Sequence, residues 1–286
     1  MAVAKIKVMI NGIPGDMAAT VLRHLILDDR FELIPASLTG PEIKTSRYEG
    51  NNRSIRLINK KNRNREIEKI IKQYDCFISA DFTLPDAVNE NAEFYCKKGL
   101  PFVMGTTGGD VQALKNEVKK SAISAILAPN MGKQIVGFQA MLEYAGREFP
   151  DLFKGYALEI TESHQKNKAD TSGTAKALVQ YFKRLGVSFS PEQISKVRDP
   201  EVQKIRWGVP EQYLDGHAWH MIRLISEDKT VSFEFTIKVN GREMFAKGTL
   251  DAIFFLDEKV RQGVTGKIFT MIDVLKIKRP VHNSEP

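Results

Sequence analysis

The chain has 286 residues, is 42% hydrophobic and 27% charged, and carries a formal net charge of +7. That balance belongs to a folded globule and excludes a disordered chain, while the longest apolar stretches, Ala252–Leu256 and Ser124–Pro129, fall far short of the roughly 20 residues that cross a bilayer. At about 150 residues per domain, the length predicts two domains sharing a cleft in which a ligand would sit.

Met1–Lys7 runs straight into a strand-like pattern, with neither an apolar signal region nor an Arg/Ser-rich transit segment, which reads as a cytoplasmic protein or an already processed organellar one. Lys and Arg are scattered apart from one run, Lys60–Arg65, read as a solvated loop and helix start. The excess positive charge is therefore assigned to a small anionic substrate rather than to nucleic acid. Cys76 and Cys96 sit in apolar segments with no CxxC or Cys/His partner, and are expected to be buried, reduced and structural.

In chain order, short β-branched runs predict strands at Ile6–Ile10, Phe31–Ser37, Cys76–Ala80, Pro101–Met104 and Ala125–Leu127. Helical periodicity falls between them at Ala18–Leu27, Glu66–Gln73, Ala87–Lys97 and Val111–Lys120. Strands with little apolar/polar alternation, each followed by a helix, predict a parallel, doubly wound Rossmann-like sheet covered on both faces. A helix over Gln134–Phe149 leads out of this half, and Pro150 and Gly155 punctuate the chain before a strand at Tyr156–Thr161. Further strands are expected at Ala218–Ser226, Thr230–Val239 and Glu243–Lys247, with a turn at Asn240-Gly241 and helices at Thr174–Leu185 and Leu250–Gln262. The second half thus reads as an α+β domain with a mixed or antiparallel sheet. The division expected is 1–132 for dinucleotide binding, with 263–286 packing back on it, and 133–262 for substrate binding and oligomerisation. The Arg279–Pro286 tail is expected to fray.

After the first strand comes Gly12-Ile13-Pro14-Gly15-Asp16-Met17-Ala18, a glycine turn opening a helix. Gly12 can make a tight turn, Gly15 can admit a pyrophosphate, and the free amides of the helix start attract that anion. It is an incomplete GxGxxG, with Ala18 where close packing would favour glycine. Asp16 beside a phosphate is unfavourable unless it points away, and it is read as a helix N-cap. The second strand ends in Ala36-Ser37-Leu38-Thr39, with no acid for a ribose and no arginine for a 2′-phosphate, so NADPH and NADH both stay open; Lys44 and Arg47 are read as solvated. Asp81-Phe82-Thr83 and Gly105-Thr106-Thr107 follow two later strands, at the carboxyl ends where an open α/β sheet binds its ligand.

The densest polar cluster, Glu162 to Ala175, lies between a strand and a helix. His164 and Lys168 are its candidate proton donors, and Ser172, Gly173 and Thr174 open a helix whose amides and dipole suit a carboxylate. His217 and His220, three apart on a strand, would point to opposite faces and are assigned to structure rather than to a metal. Arg242, beyond the Asn240-Gly241 turn, is a second possible carboxylate clamp, and Lys133 is read near the domain exit, facing the cleft.

These segments together resemble the dihydrodipicolinate reductase (4-hydroxy-tetrahydrodipicolinate reductase) family, in its plant-type branch, over nearly the whole chain. The matching pieces are Gly12-x-x-Gly15-x-Met17, Asp81-Phe82-Thr83, Gly105-Thr106-Thr107-Gly108, Ala128-Pro129-Asn130-Met131-Gly132-Lys133-Gln134, and Glu162-Ser163-His164-Gln165 through Lys168 to Ser172-Gly173-Thr174. Gly208-Val209-Pro210, Gly216-His217-Ala218, Thr230 to Phe235 and Gly241-Arg242 extend the match. The resemblance implies NAD(P)H-dependent reduction of a cyclic dicarboxylate in lysine biosynthesis, with hydride passing from the nicotinamide to the substrate ring. His164 would be the catalytic histidine, Lys168 the proton donor, and Gly173 with Thr174 the carboxylate-binding turn, joined by Gln165, Ser172 and Arg242 on the substrate. Gly12–Met17, Asp81–Thr83, Gly105–Thr107 and Pro129–Met131 would hold the nucleotide. It also implies a homotetramer built through the second domain's sheet, and a plastid stroma location if the chain is a processed plant or algal protein. The bacterial pattern has a second histidine where this chain has Gln165, and a proline before Ser-Gly-Thr that this chain lacks. Two other readings are a reductase for a different carboxylated imine or carbonyl, and a non-catalytic relative; the latter would be expected to lose His164 or Lys168, and both are kept.

Overall fold

The computed structural model describes residues 4–276. The fraying expected of Arg279–Pro286, and the end of the 263–286 segment, lie outside the described residues. In order come β1 (Ile6–Asn11), α1 (Asp16–Ile26), β2 (Phe31–Leu33), β3 (Ala36–Leu38), β4 (Arg47–Gly50), β5 (Arg53–Ile58), α2 (Arg63–Tyr74), β6 (Ile78–Asp81), α3 (Val88–Lys98), β7 (Phe102–Met104), α4 (Val111–Lys120), β8 (Ala125–Leu127) and α5 (Lys133–Glu148). There follow β9 (Ala157–His164), α6 (Gly173–Arg184), β10 (Ser195–Val197), α7 (Pro200–Ile205), β11 (His217–Ile225), β12 (Ser232–Asn240), α8 (Glu243–Arg261), β13 (Ile268–Phe269) and α9 (Met271–Leu275). The chain forms two units: one runs to Val136 and resumes at Glu243, and the other is Gly137–Arg242.

In the first unit, six strands pair in the order β13-β8-β7-β6-β1-β2, every pair parallel. Alternation along β1 shows how both faces are buried. Val8 and Ile10 join Val21, Leu22 and Leu25 of α1 and Ile253 and Leu256 of α8, while Met9 joins Ile67 and Ile70 of α2, Tyr95 of α3 and Val118 of α4. Each such side chain, fully buried, contributes about 1.5–3 kcal/mol. A small sheet in the order β3-β5-β4 was not expected. Pro35 interrupts the single strand read over Phe31–Ser37, and Asn51 and Asn52, both at positive φ, close a two-residue hairpin between β4 and β5.

The larger correction concerns 243–262. Glu243–Lys247 is the start of helix α8 rather than a strand, and the helix belongs to the first unit, although 133–262 was read as one domain. Its buried Ala246, Leu250, Ile253 and Leu256 recur at helical spacing. Gly248, which looks like a breaker, is there because a Cβ would overlap the Met131 carbonyl, so the helix can lie directly against the end of the nucleotide-side loops. The described residues beyond 262 also stay with this unit, β13 pairing with β8 and Met271 and Val274 entering its core. Cys76 is exposed rather than buried, and both cysteines are free.

The second unit is a mixed sheet, β10-β9-β11-β12, with β10 parallel to β9 and the other pairs antiparallel. Leu158, Ile160, Ile222 and Leu224 point to one face, where Leu178, Val179 and Phe182 of α6 and Leu142 of α5 cover them. This is the α+β arrangement the sequence predicts. Met221, Arg223, Glu234 and Thr236 lie exposed.

Candidate active site

Strand register brings Asn11, Asp81, Met104 and Leu127 side by side, so the loops beginning at Gly12, Phe82, Gly105 and Ala128 all leave the carboxyl edge of the parallel sheet. All the residues expected on the nucleotide are thus gathered at one edge. Gly12 has φ +100°, and a Cβ there would overlap the Phe82 carbonyl; its N–H donates to Leu38 O (2.9 Å) and its carbonyl accepts from Gly15 N (2.8 Å). The Ile13-Pro14 bond is cis. Ile13 is buried and its N–H donates to Ser37 Oγ (3.2 Å), so the turn is fixed before any ligand arrives. Asp16 is not the N-cap of α1: Gly15 holds that position and makes no side-chain cap bond. A cavity of about 380 Å³ lies along Gly12, Pro14, Gly15, Met17, Phe82 and Thr83, suiting a pyrophosphate with its flanking riboses.

Asp81 has a different task from the one its position suggests. Its carboxylate is fully buried and accepts from Tyr95 Oη (2.6 Å), Asn91 Nδ2 (3.1 Å), Thr83 N (3.0 Å) and Thr83 Oγ1 (2.7 Å). Asn11, likewise buried, donates to Tyr95 Oη (3.0 Å) and accepts from Leu38 N (2.9 Å). Burial and the neighbouring carboxylate raise the Tyr95 hydroxyl well above the usual tyrosine range, so it remains a donor. Thr106 Oγ1 donates to Thr83 O (3.3 Å), while Thr107 is exposed. In the fourth loop Asn130 Oδ1 accepts from Gly132 N (2.8 Å), Pro129 is exposed and Met131 is buried. Lys133, read as facing a cleft, instead pairs with Asp251 of α8. Asn11, Asn91 and Tyr95 were missed by sequence reading, because their partners lie 10 to 84 residues away.

A second cavity, about 260 Å³, shares Gly40, Thr83 and Leu84 with the first and is lined also by Lys60, Arg63 and Glu90. Glu90 accepts from Lys60 Nζ (2.6 Å) and Arg63 Nη2 (2.7 Å). Part of the basic run read as solvated therefore borders a ligand-sized space. Lys44 and Arg47 make local bonds instead, to Pro41 O (3.3 Å) and Ser54 Oγ (2.9 Å).

In the second unit, β9 ends at His164, and residues 165–171 form an irregular loop before α6. His164 is 6% exposed; burial, then the neighbouring His220, lowers its pKa to about 4, so it is neutral at pH 7. Lys168 Nζ donates to Asp170 Oδ1 (2.7 Å), but Asp170 is 72% exposed, so the pair is worth at most about 1 kcal/mol and releases Lys168 easily. Gln165 is half-buried beside His164. Ser172 caps α6, its Oγ accepting from Ala175 N (3.1 Å), and the next amides, of Gly173 and Thr174, have no intrahelical acceptor. A Cβ on Gly173 would meet open space. Register pairs His164 with Ala218 and His217 with Asn240, so Arg242 follows at the same end of this sheet.

The two strand histidines face opposite ways, His217 Nε2 to Ser163 Oγ (2.8 Å) and His220 Nε2 to Ser172 Oγ (2.8 Å). Ligand atoms of Glu162, His164 and His220 lie within 4.8 Å of one another, a spacing that could hold a cation. Arg198 occupies one Glu162 oxygen, however, and its charge opposes a metal there.

The profile of dihydrodipicolinate reductase, N-terminus, covers residues 6–131, and that of dihydrodipicolinate reductase, C-terminus, covers 135–275. A probable 4-hydroxy-tetrahydrodipicolinate reductase 1, chloroplastic, of Oryza sativa is 44% identical over 94% of this chain and 78% of its own length. The chloroplastic reductase 2 of Arabidopsis thaliana is 43% identical over 95% and 77%. In fold, the chain is similar to a dipicolinate-bound dihydrodipicolinate reductase from Paenisporosarcina sp. TG-14, with a TM-score of 0.63 at 19% identity over 93% of this chain and 98% of that one. The chain belongs to the dihydrodipicolinate reductase family.

Proposed function

We propose that this chain reduces 4-hydroxy-tetrahydrodipicolinate to tetrahydrodipicolinate with NADPH or NADH, a step of lysine and diaminopimelate biosynthesis. The observation that carries the reading is the single loop that joins a buried neutral His164, the ammonium of Lys168 and the amide-rich turn at Ser172–Thr174. When bound, the nicotinamide supplies the hydride. The Gly12–Gly15 turn and the start of α1 hold the pyrophosphate through backbone amides, and the Phe82, Thr83, Gly105–Thr107 and Pro129–Met131 segments line the rest of the nucleotide. Gly173 and Thr174 bind one substrate carboxylate and Arg242 the other. His164 and Gln165 orient the ring by hydrogen bonds, and Lys168 leaves Asp170 to deliver the proton that the reduced ring takes up.

The cavity beside Lys60, Arg63 and Glu90 suits the adenosine ribose: the two cations favour a 2′-phosphate and the carboxylate favours free ribose hydroxyls, so both nucleotides are accepted. Assembly as a homotetramer through the exposed face of the second unit's sheet, and residence in plastid stroma or cytoplasm, belong to the same proposal. The plant relatives are named chloroplastic, and no described helix is long and apolar enough to cross a membrane. The test is optical: oxidation of NADPH or NADH by folded protein, with substrate made in the assay by dihydrodipicolinate synthase. Turnover with either nucleotide supports the proposal, and none with both overturns it.

A further inference from the structure

Residues 165–171 carry the chemistry yet have little regular structure of their own; their backbone includes a bond from Lys168 N to Gln165 O (3.0 Å). What fixes them comes from elsewhere in the chain. Arg198 directly follows β10, which pairs in parallel with Thr161–Ser163 of β9. From there its Nε donates to Lys168 O (2.8 Å), its Nη1 to Val197 O (3.1 Å) and Glu162 O (3.4 Å), and its Nη2 to Asp170 O (3.3 Å) and to the Glu162 carboxylate. The other oxygen of Glu162 accepts from Ser172 N (3.0 Å), the cap residue of α6. Gln203 Nε2 closes the same junction, donating to His164 O (2.7 Å).

The Glu162 side chain is fully buried, where an unpaired carboxylate is costly, so the guanidinium both neutralises it and uses its remaining N–H groups on the loop. A guanidinium presents five donors in one plane, and a lysine at this position would supply a single point charge. One ion pair thus ties the end of β9, the backbone at Lys168 and Asp170 and the start of the carboxylate turn.

We propose that Arg198, acting with Glu162, is the positioning pair that holds Lys168 and the Ser172–Thr174 turn in reactive geometry. The inference rests on the role given above to Lys168. Arg198→Lys keeps the charge and removes the fork, and Arg198→Ala removes both. In the purified full chain, Arg198→Lys lowers kcat at least tenfold while the KM of the nucleotide stays within twofold, and amides 165–171 exchange at least tenfold faster while those of β1 and α1 do not change. Free guanidinium restores at least threefold activity to Arg198→Ala. If Arg198→Ala fails to fold, the double variant Arg198→Met/Glu162→Gln, which leaves no buried charge, provides the same exchange reading. Unchanged exchange at 165–171 with kcat within twofold of the parent overturns the proposal, as does accelerated exchange spread evenly over Gly137–Arg242, which marks a purely structural residue. Accelerated loop exchange with unchanged kcat overturns the role of Lys168 and leaves the clamp standing.

Discussion

Replacing Tyr95 by Phe removes one oxygen from the interior of the nucleotide-binding unit and leaves its packing against Phe94 and Phe102 in place. That oxygen is fully buried, donates to Asp81 at 2.6 Å and accepts from Asn11 at 3.0 Å. A hydrogen bond to a charged group is worth about 1.5–3 kcal/mol, and the Asn11 amide left without its acceptor adds about 1 kcal/mol. At roughly 2–4 °C per kcal/mol for a unit of this size, the Tm falls by about 5–16 °C. Because the same carboxylate fixes Thr83 N and Oγ1, the Phe82–Thr83 loop loosens and the KM of the nucleotide rises about threefold or more, with little change in that of the second substrate. Scanning calorimetry and steady-state kinetics on the two proteins measure both effects. A Tm within 1 °C of the parent, with an unchanged nucleotide KM, would show that the buried network does not hold the loop.

Gly12→Ala places a Cβ against the Phe82 carbonyl at φ +100°, a backbone region costing about 1–2 kcal/mol for alanine before the overlap is counted; nucleotide KM rises at least tenfold, and an unchanged value refutes the role of this turn. Glu90→Gln leaves Lys60 and Arg63 without their counter-charge, so the ratio of KM for NADPH to KM for NADH falls about threefold, as expected for a partly exposed ion pair. His164 and His220 are each lowered from 6.5 to about 4, chiefly by burial, although Glu162 opposes the shift. Between pH 6.5 and 4 the unfolded chain therefore binds protons that the folded chain refuses, and stability is lost as pH falls through that window. His220→Gln flattens the dependence of Tm on pH there, and identical slopes would contradict the assignment.

The parallel sheet was legible because Val8, Ile10 and their counterparts are short apolar runs followed by amphipathic helices, and three of its loops were legible because glycine and threonine stand at strand ends; the fourth, Pro129–Met131, came only with the family resemblance. The His164–Thr174 loop stood out as a dense polar segment between a strand and a helix. Leu250–Gln262 was legible as a helix, but the start of α8 was misread because Gly248 has a tertiary purpose, close approach to the Met131 carbonyl, that looks locally like a break. The small β3-β5-β4 sheet was missed because its strands are short and its hairpin rests on Asn51 and Asn52 rather than on an Asn-Gly pair. Asn11, Tyr95 and Arg198 escaped for a common reason: each acts through partners 14 to 84 residues distant, and no local pattern records such pairings.

Lys168→Ala tests the central claim most directly. Loss of the proton donor should lower kcat about 100-fold or more, while nucleotide binding, followed by fluorescence of the reduced nicotinamide, stays within twofold of the parent. Turnover within threefold of the parent would contradict the account.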